Sequence, residues 1–149
     1  MKIAIGSDHR GLELKRQVIS LLEGKKHKVK DFGAYNQDSC DYPDFAFPVA
    51  RGVSLREFDQ GILICSTGNG MAIAANKVSG VRAALALTPE MARLARGHND
   101  ANVLILSADF GSAAFIQDIV ERWLDTPFEG GRHARRIEKI TAIEKGERH

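Results

Sequence analysis

A thiol and two glycines occupy one short loop of this 149-residue chain. The loop runs from Cys65 to Gly70 and reads Cys-Ser-Thr-Gly-Asn-Gly, between an apolar run typical of a strand and an alanine-rich run typical of a helix. A helix that begins in such a loop attracts anions, because its first backbone N–H groups lack partners. The positive electrostatic potential at such a helix N-terminus also favours the thiolate form of a cysteine. Cys65 is therefore either a reactive group or a buried structural cysteine.

The glycine spacing in this loop excludes two nucleotide-binding motifs. A Walker A loop needs Gly-Lys followed by Ser or Thr, which is absent here, and a dinucleotide fingerprint needs a third glycine where the chain has Ile73. We therefore expect the loop to bind a phosphate group or to stabilise a charge that develops during a reaction.

Two histidines outside the loop could also take part in chemistry. His9 follows Asp8 directly after the first apolar run, and packing requires neither residue. Asp8 could simply cap the helix that follows. His98 lies in Gly97-His98-Asn99-Asp100, between a predicted helix and the last predicted strand, where it is either a helix-terminus residue or a catalyst.

Basic residues are concentrated near the end of the chain. Arg132 and Arg136 are four residues apart, so they share one face if the segment is helical, and His133 lies beside them. This face either binds a phosphate-bearing ligand or is a solvated helix surface. The basic residues of the segment are Arg132, Arg135, Arg136, Lys139, Lys145 and Arg148.

Alternating strands and helices must position these groups. Short apolar runs, typical of strands that are buried on both faces, occur at Ile3–Ser7, Val29–Phe32, Gly61–Cys65, Val81–Leu87 and Asn102–Leu106. Helical patterns and start or stop signals predict helices at 12–24, Tyr42–Val53 (disturbed by Pro48), Met71–Val78, Pro89–Arg96 after the N-cap Thr88, Gly111–Leu124, and a last one through Ile137, Ile140 and Ile143.

This alternation predicts an α/β fold that forms one domain over residues 1–149. We expect a three-layer αβα sandwich with a Rossmann-like, five-stranded parallel sheet, strand order 2-1-3-4-5, and a C-terminal helix. In that order the first and third strands are neighbours, and their carboxyl ends form the usual ligand-binding crevice. The Asp8 loop and the Cys65 loop should therefore meet there.

The composition narrows the partners and the compartment. The net charge of +2 does not indicate nucleic-acid binding, and no apolar run approaches the roughly 20 residues that span a membrane. The N-terminus lacks the pattern of a signal peptide, and the two cysteines form no disulfide framework or metal-binding spacing. We predict a cytoplasmic protein that needs no metal and no cofactor.

Several motifs together resemble the ribose-5-phosphate isomerase B family, which includes the galactose-6-phosphate isomerase subunits. The similarity runs nearly end to end. The segments that carry it are Ser7–Gly11, Asp41–Pro43, Gly61–Gly68, Ala74–Lys77, Arg96–Asn102 and Gly130–His133.

The resemblance implies an aldose–ketose isomerase that interconverts ribose 5-phosphate and ribulose 5-phosphate through a cis-enediolate. It implies that Cys65 is the base, that Thr67 relays protons and that His98 opens the sugar ring. It implies that Asp8 is a fourth catalytic residue, which positions the sugar hydroxyls together with Asn99. It assigns the remaining site residues to binding: Ser66, Gly68, Asn69 and Gly70 to the enediolate oxygen through backbone N–H groups, His9, Arg132 and Arg136 to the phosphate with His133 nearby, and Tyr42 to the sugar pocket.

Two positions depart from the pattern of the family. Many relatives have Gly-Thr-Gly after the cysteine, where this chain has Ser66 before Thr67. Relatives also commonly have an arginine that touches the phosphate where this chain has Asp109. An acidic residue there should repel a phosphate, so isomerisation of a tetrose, allose or galactose phosphate is an alternative function. A phosphate-binding module without catalysis is a further alternative, since fold alone does not exclude it.

The predicted topology also bears on the oligomeric state. Asp8 and Cys65 follow strands, whereas His98 precedes one, so His98 should lie at the opposite edge of the sheet in its own subunit. If His98 opens the ring, it must come from a second copy of the chain. The sequence therefore predicts a homodimer with shared active sites, with a dimer of dimers as the larger alternative.

Overall fold

A computed structural model describes residues 1–147 of the chain, so Arg148 lies outside the described residues. The strands are β1 (Lys2–Ser7), β2 (Lys28–Asp31), β3 (Gln60–Cys65), β4 (Ala83–Leu85) and β5 (Val103–Ser107). The helices are α1 (Leu12–Gly24), α2 (Pro43–Ser54), α3 (Asn69–Ala75), α4 (Pro89–Asn99), α5 (Ile116–Asp125, after a 3₁₀ turn at Ser112–Phe115) and α6 (Arg132–Glu144).

All pairings in the sheet are parallel, and helices cover both of its faces. Alternate residues of each strand enter different cores. Ile3 and Ile5 pack with α1, α4 and α5, whereas Ala4 packs with α2 and α3. This alternation produces the predicted three-layer αβα sandwich. Within residues 1–147, no helix is both long enough and apolar enough to cross a lipid bilayer.

The order of the last two strands differs from the prediction. The sheet has the order β2-β1-β3-β5-β4 instead of 2-1-3-4-5. All five residues of β5 are buried, whereas β4 has three half-buried residues, so β5 takes the inner place and β4 the edge. The predicted neighbours β1 and β3 are adjacent. Because β5 and not β4 lies next to β3, the end of β5 is beside Cys65, where Ser107 pairs with Cys65.

Two helices depart from their predicted form. Helix α2 runs through Pro48 without a break. Proline removes only the hydrogen bond to the carbonyl of Asp44, which is exposed and can bond to water. The predicted helix from Gly111 begins instead as the 3₁₀ turn, in which the buried Ser112 hydroxyl donates to the carbonyl of Ala86 (2.9 Å).

Candidate active site

Cys65 lies at the carboxyl end of β3, with its side chain on the α2 and α3 side of the sheet. The residue is 5% exposed. The backbone N–H of Gly68 donates to Sγ over 3.2 Å. Sγ therefore lies within the loop Cys65–Gly70, called the anion loop below, next to a backbone hydrogen-bond donor.

The geometry of the loop depends on Gly68. Its φ of 87° is in the left-handed region, and a Cβ on it would lie 2.6 Å from Cδ1 of Leu85. Next to it, the backbone N–H of Asn69 donates to Oγ1 of Thr67 (3.2 Å). This bond leaves the hydroxyl hydrogen of Thr67 for a different acceptor. The amides of Gly68 and Asn69 are thus occupied inside the loop, although the sequence predicted them as anion donors.

The ring of Tyr42 packs against the same loop. A Cβ at Gly70 would lie 2.7 Å from Cζ of this ring, so glycine permits the contact. Tyr42 is 39% exposed and directly precedes α2. The structure therefore brings Tyr42 to the wall of the crevice, where an exposed aromatic face meets the backbone of the anion loop.

Asp8 and His9 come to the crevice from β1. Oδ1 of Asp8 accepts hydrogen bonds from the backbone N–H groups of Arg10 and Gly11, each at 3.0 Å, and so closes the turn before α1. The N-cap of α1 is Gly11, without a side-chain cap, so Asp8 does not cap the helix. Nδ1 of His9 accepts a hydrogen bond from the backbone N–H of Cys40 (3.3 Å). A neutral His9 therefore carries its proton on Nε2 and can donate it to a ligand.

Asp109 lies beside the loop because β5 lies beside β3. Its backbone N–H donates to the carbonyl of Ser66 (3.0 Å), and its carboxylate accepts a short hydrogen bond from the hydroxyl of Ser66. The guanidinium of Arg10 also binds this carboxylate (3.2 Å). The Ser66 hydrogen bond, together with Arg10, holds the pKa of Asp109 below its ordinary value. Asp109 is therefore an ionised, paired group and not an isolated charge.

A second group of predicted site residues assembles around α4 and α6. The rings of His98 and His133 stack in parallel with centroids 4.2 Å apart. Arg132 begins α6, and Arg136 lies one turn further on, as the spacing predicted. Burial lowers the pKa of His133 below its ordinary value, and His98 and then Arg132 lower it further. His133 is thus a neutral ring at neutral pH.

The two groups lie at opposite ends of the strands, the first at their carboxyl ends and the second at their amino ends. The carbonyl of Asn99, at the end of α4, accepts a hydrogen bond from Nε of Arg82 (2.9 Å), just before β4 begins. In the register of the sheet, Val103 at the start of β5 pairs with Gly61, four residues before Cys65. Four residues of strand span roughly 13 Å. One chain therefore presents two half-sites, one with Asp8, His9, Tyr42 and residues 65–70, and the other with His98, Asn99, Arg132, His133 and Arg136.

Two residues of these half-sites, Arg10 and Glu129, were not predicted from the sequence. Arg10 was treated as part of a motif, without a partner, because nothing in the sequence brings it to Asp109. Glu129 lies beside both stacked histidines, with Oε2 3.6 Å from Nε2 of His98 and 3.7 Å from Nε2 of His133. Its position four residues before His133 was the one local signal.

Comparisons with known proteins agree with this geometry. A family model described as Ribose/Galactose Isomerase matches residues 3–140. Ribose-5-phosphate isomerase B of Escherichia coli (strain K12) is 44% identical over 144 residues, which cover 97% of each chain. The solved ribose-5-phosphate isomerase B of Clostridium thermocellum is 50% identical, with a TM-score of 0.96 over 98% of this chain and 99% of its own.

A third relative was solved with a ligand. It is ribose-5-phosphate isomerase B from Mycoplasma genitalium with bound ribulose-5-phosphate, which is 49% identical, with a TM-score of 0.92 over 97% of this chain and 96% of its own. The chain belongs to the ribose/galactose isomerase family. It is an enzyme, a sugar-phosphate isomerase of the ribose-5-phosphate isomerase B type.

Proposed function

We propose that this enzyme interconverts ribose 5-phosphate and ribulose 5-phosphate, with Cys65 as the base that moves the proton between C2 and C1. The observation that carries the proposal is the position of Sγ, buried at the carboxyl end of β3 and in hydrogen-bond contact with the Gly68 amide. The ribulose-5-phosphate bound to the Mycoplasma genitalium relative supports the choice of substrate.

The proposed reaction begins from the open-chain aldose. The Cys65 thiolate takes the proton from C2, and the electron pair of the broken C–H bond forms the C1–C2 double bond while the carbonyl electrons move to O1. Loop amides that are not used internally, such as that of Gly70, stabilise the enediolate. The thiol then returns its proton to C1, and the free hydroxyl hydrogen of Thr67 serves proton transfer between O2 and O1.

Ring opening is assigned to His98 of the second half-site, and the sugar hydroxyls and the phosphate to residues of both half-sites. His98 would act as acid and base on the furanose, with Asp8 and Asn99 at the sugar hydroxyls. Arg132 and Arg136 would bind the phosphate with His9, beside His133. Because the two half-sites lie at opposite ends of the sheet strands in one chain, we propose that each active site combines the half-sites of two subunits in a homodimer.

A second candidate substrate is an aldose phosphate with four or six carbons. The observation that favours it is the Arg10–Asp109–Ser66 group, which places a carboxylate beside the loop, where the family resemblance implies an arginine in many relatives. Turnover should be compared for four-, five- and six-carbon aldose and ketose phosphates with one enzyme stock. The proposal predicts the highest kcat/KM for ribose 5-phosphate and ribulose 5-phosphate. A higher value for another sugar phosphate would establish the alternative.

A further inference from the structure

Three side chains that can bind metals converge at the second half-site. One donor atom from each of His98, Glu129 and His133 lies within 4.8 Å of the other two. Nε2 of both histidines faces the same carboxylate oxygen, at 3.6 and 3.7 Å. These distances are too long for hydrogen bonds. The three donor atoms therefore surround one small space, and because the two rings stack in parallel, His98 must rotate before both nitrogen lone pairs point into it.

We propose that His98, Glu129 and His133 form a binding site for Zn²⁺ and related transition-metal ions, and that occupancy of this site inhibits the enzyme. Two histidines and one glutamate, with a fourth position open to water, form a common zinc ligand set. Tetrahedral zinc with ligand bonds of about 2.0–2.1 Å holds its donors about 3.3–3.4 Å apart. The nitrogen–oxygen distances therefore need to contract by only a few tenths of an ångström.

The protein holds this ligand set in place. The backbone N–H of Glu129 donates to the carbonyl of Gly97 (3.0 Å), immediately before His98. A Cβ on Gly97 would lie 2.8 Å from Oε1 of Glu129, so glycine makes room for the carboxylate. The guanidinium of Arg93 lies 3.6 Å from that same Oε1 atom, and the other carboxylate oxygen, Oε2, lies near the two histidines. The His133 side chain is 7% exposed and fixed, whereas that of His98 is 35% exposed and can adjust.

The surrounding charges determine which cations can bind. Arg93 lies against Glu129, and Arg132 and Arg136 are close enough to His133 to affect its charge. These guanidinium groups repel cations that rely on carboxylate oxygens, such as Mg²⁺ and Ca²⁺. Imidazole nitrogens are preferred ligands of Zn²⁺, Cu²⁺ and Ni²⁺, so these ions depend less on the single carboxylate. The site should therefore distinguish transition metals from magnesium.

Inhibition follows from the ligand atoms. A metal bound to His98 occupies the lone pair that proton transfer to the sugar ring requires. This step rests on the proposed function, whereas metal binding does not. Binding and inhibition therefore need separate measurements.

Binding is tested with Co²⁺ as a spectroscopic probe. The full chain carries Cys40→Ser and Cys65→Ser, so that neither thiol can bind the metal. We expect the visible absorption of four-coordinate cobalt, at one ion per chain, and its loss on addition of Zn²⁺. Adding Glu129→Gln or His98→Asn should abolish the band, whereas Glu138→Gln, an exposed glutamate on α6, should leave it. A six-coordinate spectrum, or the same band in the Glu129→Gln protein, would overturn the proposal.

Inhibition is tested on the chain with both cysteines intact. The Zn²⁺ concentration for half-inhibition should rise by at least about tenfold in Glu129→Gln, since the loss of supporting contacts alone typically costs 10–100-fold in metal affinity. It should not change in Glu138→Gln. Mg²⁺ should have no effect, and a chelator should restore activity. Equal inhibition of both variants and wild type would assign the effect to a thiol and contradict the proposal. If cobalt binds as expected but no sugar phosphate is isomerised, the metal site stands and the proposed function fails.

Discussion

Asp109 lies between Arg10 and Ser66, next to the loop that holds Cys65. Arg10 is more than half exposed and is bound to the carboxylate over 3.2 Å, so Asp109 holds a guanidinium that could otherwise reach a phosphate. A phosphate bound beside this loop would therefore meet the charge of Asp109 in two ways, through the repulsion of the carboxylate and through the guanidinium that it restrains.

We predict that Asp109→Arg lowers the KM for ribose 5-phosphate. One restored charge-assisted contact of about 1.5 kcal/mol corresponds to roughly tenfold. Steady-state kinetics on the purified variant measure the change. Asp118→Arg is the matched control, because it makes the same charge change on the exposed surface of α5 and should leave the KM unaltered. An unchanged KM in Asp109→Arg would mean that this side chain does not face the phosphate.

His133 makes the stability of the protein depend on pH. Its pKa is lowered in the folded state, mainly by burial. The unfolded chain binds this proton near pH 6.5, so it holds more protons than the folded chain below that pH. The contribution of a neutral His133 is therefore fully present above about pH 6.5 and is lost as the pH falls through its lowered folded-state pKa. Asp109 also has a lowered pKa, but its contribution is lost only below its ordinary value of 3.8.

We expect the midpoint of thermal unfolding to fall between pH 7 and pH 5, and His133→Gln to reduce that fall. Burial also lowers the pKa of His27, so His27 contributes to the fall in the unfolding midpoint in the same direction, and His27→Gln is the comparison variant. Unfolding scans at several pH values measure both slopes. Identical slopes in wild type and His133→Gln would contradict the assignment.

At the scale of elements, the turn between β3 and α3 depends on Gly68. Alanine there would adopt a left-handed conformation that costs roughly 1–2 kcal/mol, and its Cβ would meet Leu85. We predict that Gly68→Ala lowers the free energy of unfolding by about 2–4 kcal/mol once steric overlap is added, and that kcat falls because the amide that bonds to Sγ shifts. Denaturant unfolding and kinetics measure the two effects.

Gly80 supplies a matched control for this substitution. Its φ of 79° is similar, but a Cβ there would meet only the Ser54 hydroxyl oxygen at 3.8 Å. Gly80→Ala should therefore show the conformational cost alone, with normal kcat. If both variants lose the same stability and keep full activity, Gly68 has no special role in the site.

The element pattern was predictable where one physical signal dominates. Thr88 caps α4 as predicted, since its hydroxyl oxygen accepts a hydrogen bond from the N–H of Met91 (3.2 Å). The apolar runs located β1 and β3 to within one residue at each end. The order of β4 and β5 was predicted wrongly because it depends on the relative burial of two short strands, which the linear pattern does not contain.

The part of the site that consists of loops directly after paired strands was predictable from the sequence. The Asp8 and Cys65 loops meet because β1 and β3 pair. Contacts between distant segments were not predictable: Arg10 is 99 residues from Asp109, and Glu129 is 31 residues from His98. Such pairs become neighbours only through the packing of β5 against β3 and of α6 against α4.

At the scale of the whole molecule, the two half-sites require a second subunit if they act on one sugar. Mixing the inactive variants Cys65→Ala and His98→Ala after reversible dissociation should restore part of the activity, because each hybrid dimer contains one site with both residues intact. Turnover and native mass spectrometry of the mixture measure recovery and exchange. If hybrids form and no activity returns, the sites are not shared.

The measurement that tests the central claim most directly is hydrogen exchange at C2 of the sugar. In D₂O, the wild-type enzyme should place deuterium at C2 of ribose 5-phosphate, followed by NMR. Cys65→Ala should still bind the sugar phosphate but should show no enzyme-dependent exchange. Cys40→Ala should retain exchange, because it removes only the Sγ contact with Nδ1 of His9 (3.6 Å) and keeps the hydrogen bond from the backbone N–H to the same atom. Near-normal exchange in Cys65→Ala would contradict the assignment of Cys65 as the base.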